Sequence, residues 1–76
     1  MRTRTVLRIL GDEIRMHREK RNLTQEALAF DVGIHPNALG RCERGETDCR
    51  VMTLFNIADG LNASLAELIA GAERRL

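Results

Sequence analysis

Seventy-six residues confine the chain to one domain, too short for a Rossmann fold, a barrel or a two-domain enzyme. With 43% hydrophobic and 30% charged residues, six Gly and one Pro, it is neither disordered nor collagen-like. The net charge of +1 is uninformative, but its distribution is not: seven basic against three acidic residues in positions 1–21 make a +4 segment on a nearly neutral remainder.

The apolar period is helical throughout. Leu7, Leu10 and Ile14 recur at three and four residues and predict a first helix over about 4–21, with Thr3 or Thr5 as its cap and Asn22 as its stop. Thr24 caps a second helix whose inward stripe is Leu28, Ala29 and Val32, closed by Gly33. His35-Pro36-Asn37 opens a third, with Pro36 in the first turn, Leu39 and Cys42 inward, and an end near Arg44-Gly45. Residues 45–50 read as a loop. Val51, Leu54, Phe55, Ile57, Ala58 and Leu61 mark a fourth helix stopped by Asn62. Ser64-x-x-Glu67 is a capping box for a fifth, with Leu65, Leu68 and Ile69 as its apolar face and Gly71 ending or fraying it. The expected architecture is all-α: five short helices, no strand, and connections of two to six residues.

Several chemistries have nothing to stand on. No apolar run spans a membrane, and residues 1–10 lack the apolar core of a signal peptide, so the cytoplasm is the expected location. In that compartment Cys42 and Cys49 are expected as free thiols, Cys42 as a small core residue. Their spacing fits no tight zinc pair, and no nucleophile–base pair or phosphate loop is present. No catalysis, metal, cofactor or small-molecule ligand is expected.

Two short helices meeting at a Gly-containing turn inside a small helical domain read as a helix-turn-helix over about 24–44. The pattern is dense: Leu10-Gly11-x-x-Ile14-Arg15-x-x-Arg18, Leu23-Thr24-Gln25-x-x-Leu28-Ala29, Gly33-Ile34, Leu39, Glu43-Arg44-Gly45, Leu54-x-x-Ile57-Ala58, Leu61 and Ser64-Leu65-x-x-Leu68. In one register over about 8–70, these residues resemble the DNA-binding domain of the lambdoid repressor and Cro family, the XRE-type helix-turn-helix. The resemblance implies one compact five-helix domain over 1–76 that binds double-stranded DNA as a transcriptional regulator.

It also implies roles. The third helix would enter the major groove and present Pro36, Asn37, Gly40 and Arg41 to base edges. Asn suits adenine, and Arg suits guanine O6 and N7. Thr24, Gln25, Arg44 and Arg50 would hold phosphates. Arg18 and Glu43 would form an ion pair tying the first helix to the end of the third. The chain departs from the family at His17, where Leu is usual, and at Ala38, Gly40 and Cys49-Arg50. Gly40 costs helix stability and offers no side chain to a base.

With no room for a separate oligomerisation domain, a homodimer on a two-fold operator would form through this domain, with Phe55, Leu65, Ile69 and Leu76 as its interface. In length the chain is similar to the controller proteins of restriction–modification systems. Phe30 lies off its helix's inward stripe and is expected to be partly exposed. A protein-binding or antitoxin-like module on the same fold is the rival reading; scarce aromatics disfavour single-stranded RNA.

Overall fold

Four of the helices end in the same way, at a residue that accepts a left-handed backbone. The computed structural model describes residues 2–76 and contains, among them, α1 Thr3–Lys20, α2 Gln25–Val32, α3 Pro36–Glu43, α4 Val51–Gly60 and α5 Leu65–Arg74, with no strand. Asn22 (φ 56°), Gly33 (81°), Gly45 (70°) and Asn62 (56°) follow α1 to α4. The N–H of the next residue then bonds back five positions: Leu23 to Arg18, Ile34 to Ala29, Glu46 to Arg41 and Ala63 to Ala58, at 2.9–3.2 Å. Each turn satisfies a carbonyl that the helix end would otherwise leave open. All four stops were legible as Asn or Gly.

The starts are less uniform. Thr24 Oγ1 accepts from the N–H of Ala27 at 3.0 Å, and Ser64 and Glu67 form a complete capping box. His35 caps α3, its Nδ1 accepting from the N–H of Asn37 at 3.0 Å. The cap expected of Thr3 or Thr5 is absent. Both lie inside α1, whose N-cap is Arg2 with no side-chain bond.

Each helix sends one wholly buried aliphatic side chain to a common centre: Ile14, Leu28, Leu39, Ile57 and Leu68. Ala29, Ala58, Leu54 and Leu61 fill between them. Such contact excludes water from a small but continuous core, which sets the helix arrangement. The radius of gyration is 11.1 Å.

Two glycines let α1 lie close to its neighbours. A side chain at Gly11 would overlap the carbonyls of Cys42 and Glu43 at the end of α3, and one at Gly71 would overlap the Glu13 carboxylate. Gly71 lies inside α5, which runs on to Arg74, instead of ending it. The expectation of free thiols is also corrected. Cys42 and Cys49 are joined by a disulfide, their Cα atoms 6.3 Å apart, because the turn at Gly45 folds the loop back on α3. None of the described helices is long and apolar enough to cross a membrane.

Candidate nucleic-acid interface

One buried carboxylate ties α3 to both α1 and α2. Arg18 reaches Glu43 with two parallel bonds, Nε to Oε2 at 2.7 Å and Nη2 to Oε1 at 3.0 Å. Its remaining arm, Nη1, donates to the carbonyl of Leu23 at 2.7 Å. The Gln25 amide nitrogen donates to Glu43 Oε1 at 3.0 Å. Side-chain exposure is 11% for Arg18 and 2% for Glu43. The pair is therefore desolvated, fork-on-fork and fully hydrogen-bonded, the form in which a buried ion pair is tolerated. The hydrogen bond to Glu43 also raises the Arg18 pKa above its ordinary value, against the opposing effect of burial.

Sequence reasoning missed the role of Gln25 in this network. It sits at the first position of α2, where a free backbone N–H and a long amide suit a phosphate equally well. Only the approach of α3 shows that its nitrogen is already engaged. Thr24 is exposed, but its hydroxyl oxygen is occupied as the α2 cap.

On α3, Leu39, Gly40, Cys42 and Glu43 are buried, while Asn37, Ala38 and Arg41 are exposed and Pro36 is half-buried. Asn37 and Arg41 are one turn apart on the outward side. Gly40 does not share that side. It is buried against the start of α2, and a Cβ there would lie 3.0 Å from Arg44 Nη1 and 3.4 Å from Gln25 Oε1. The base-contact expectation for Gly40 is corrected: its missing side chain is the space over which Gln25 and Arg44 lie.

Arg44 and Arg50 are both exposed. Arg44 is engaged with Glu46, Nε to Oε2 at 2.8 Å, which raises its pKa and lowers that of Glu46, the shared hydrogen bond being the larger cause in each. Arg50 is the α4 N-cap without a side-chain bond, beside a shallow groove shared with Arg41, Asp48 and the disulfide.

The residues expected at a dimer contact separate into two kinds. Leu65 packs against the core and Ile69 is half-buried, whereas Phe55 and Leu76 are exposed. The structure adds Val51 and Met52, exposed beside Phe55 on the outer face of α4. Phe30 is 86% exposed on α2. His17 is half-buried in a groove between α1 and α5 that also holds Glu13 and Lys20.

The sequence profile of the family described as helix-turn-helix domain matches residues 9–70. The chain belongs to the XRE-type helix-turn-helix family. It is 38% identical over 61 residues to control protein C.SmaI of Serratia marcescens, covering 80% of this chain and 73% of that protein. Among solved structures it is similar to the restriction–modification controller protein C.AhdI of Aeromonas hydrophila, with a TM-score of 0.80, 31% identity, and coverage of 82% of this chain and 94% of that one. It is also similar to the clp gene regulator ClgR of Corynebacterium glutamicum, with a TM-score of 0.88, 25% identity, and coverage of 93% and 92%. Membership of this family makes the chain a DNA-binding transcriptional regulator.

Proposed function

We propose that the protein is a sequence-specific duplex DNA-binding regulator of the restriction–modification controller kind, acting as a homodimer on a two-fold operator. The observation that carries this reading is the outward pair Asn37 and Arg41 on α3, held beside the α2 N-terminus by the buried Arg18–Glu43–Gln25 network. Rigid placement matters because a side chain reads a base only if its helix cannot shift in the groove. Arg41 reads a guanine, Asn37 reads an adjacent base and Pro36 packs on a thymine methyl. Thr24, Gln25, Arg44 and Arg50 hold the flanking phosphates and fix the register.

The relatives' names support the controller context, and the chain covers most of their length. The dimer is supported by Val51, Met52 and Phe55, an apolar strip on the outer face of α4 that this chain alone leaves in water. A single domain spans about one half-site, and a two-fold dimer places two α3 helices roughly 34 Å apart.

The test is titration of a selected operator and a scrambled duplex at several salt concentrations, with sedimentation of the free and bound protein. A steep log–log salt slope, a clear preference for the operator and two copies per site are expected. Equal affinity for both duplexes, or one copy per site with a monomer at high micromolar concentration, would count against it.

A further inference from the structure

An open groove of about 600 Å³ lies between the first turns of α1 and the end of α3, beside the helix-turn-helix. Arg4, Arg8 and Arg44 line it, with Glu46 and Gly45. Gly45 closes its floor: a Cβ there would lie 2.6 Å from the Arg8 Cα, so the chain after α3 rests directly on the α1 backbone. That contact brings Arg44 alongside Arg8, although they lie 36 positions apart in sequence.

Arg4 and Arg8 stand one turn apart on α1, where like charges repel. No acidic residue in the first turn of α1 offsets them. The ion pairs among the described residues use Arg15, Arg18, Arg44 and Arg75, so among those residues neither Arg4 nor Arg8 is in an ion pair. The Arg44 guanidinium, in turn, lies over Gly40 near Gln25 at the start of α2. A basic track thus continues from the α2 N-terminus, across Arg44, to Arg8 and Arg4.

We propose that Arg4 and Arg8, with Arg44, form a further phosphodiester grip that carries the duplex contact from the helix-turn-helix onto α1. The proposal rests on the DNA-interface reading above. Both α1 arginines are exposed, and an isolated ion on such a pair is screened by solvent and salt. A duplex already held by α2 and α3 presents its phosphates to the groove at high local concentration, and each one neutralised releases a counterion. The occupant is therefore the backbone of the bound duplex, with no base preference.

The experiment compares wild type, R4Q/R8Q and K20Q/R74Q against a short random-sequence duplex over a range of salt concentrations. The second variant removes the same charge from the groove between α1 and α5. The residues substituted in both variants are solvent-exposed, and circular dichroism melting checks that the fold is kept. R4Q/R8Q is expected to bind all duplexes more weakly and to flatten the log–log salt slope by about 1.8, two contacts at about 0.9 each. K20Q/R74Q is expected to keep the wild-type slope. A wild-type slope in R4Q/R8Q, or an equal loss in K20Q/R74Q, overturns this proposal and leaves the helix-turn-helix reading standing. A wild-type chain with no salt-dependent affinity for any duplex overturns both.

Discussion

Gln25 and Arg18 share one acceptor: both donate to Oε1 of Glu43, each at 3.0 Å. Three helices are thereby tied at a single buried carboxylate, from the end of α1, the start of α2 and the end of α3. The angle between α2 and α3 follows from that tie as well as from the apolar contacts beneath it.

Breaking the tie from one side is expected to be costly. Glu43→Ala leaves the Arg18 guanidinium desolvated and without its carboxylate, and is expected to lose about 3–5 kcal/mol. The double variant Arg18→Met, Glu43→Leu removes both charges and is expected to recover much of that loss. Urea unfolding of the three proteins measures it. Single variants as stable as wild type would show that the pair contributes nothing.

Arg41 and Gln25 are expected to fail differently. Arg41→Ala should lose about 1–3 kcal/mol of discrimination at one base pair per half-site, weakening the operator more than a scrambled duplex. Gln25→Ala removes the hydrogen bond to Glu43 and, on the proposed reading, a phosphate contact, so it is expected to lower stability as well as affinity for every duplex. Because Gln25 is uncharged, the salt slope should barely change. Equal losses on both duplexes for Arg41→Ala would make it a backbone contact.

Glu46 restrains Arg44. The Arg44 hydrogen bond holds the Glu46 carboxyl below its ordinary pKa. Its small contribution to stability is therefore present above the unfolded carboxylate value and lost as pH falls through the lower folded one. If Arg44 holds a phosphate as proposed, the ionised Glu46 carboxylate competes for it at neutral pH. Glu46→Gln is expected to tighten binding to any duplex and steepen the salt slope by up to about 0.9. Fluorescence anisotropy at neutral pH checks this, and unchanged affinity would show that Arg44 does not contact phosphate.

The Cys42–Cys49 bridge closes a short loop, seven positions in sequence, that carries Arg44 and Glu46. On the chain-entropy account a loop of this size contributes about 2–3 kcal/mol. Reduction, or Cys49→Ser, is expected to lower the melting temperature by that equivalent. Identical melting curves with and without reductant would show that the bridge does not form in solution.

Much of this protein was legible in the residue order. Helix stops at Asn22, Gly33, Gly45 and Asn62, the caps at Thr24 and Ser64, and the apolar stripes are local signals, because backbone conformation and helical period act over a few neighbours. The family register placed α2 and α3 and paired Arg18 with Glu43 in advance. What the order of residues could not determine depends on surfaces that meet only after folding. The approach of α3 to α2 engages Gln25 with Glu43 and buries Gly40. The turn at Gly45 brings Cys49 to Cys42 and Arg44 to Arg8. Gly71 reads as a helix end by propensity, yet α5 continues through it, and Glu13 of α1 occupies the space a side chain there would need. At Gly40 and Gly71 helix-to-helix distance, not local preference, selects the residue, since close packing leaves no room for both partners to keep a side chain.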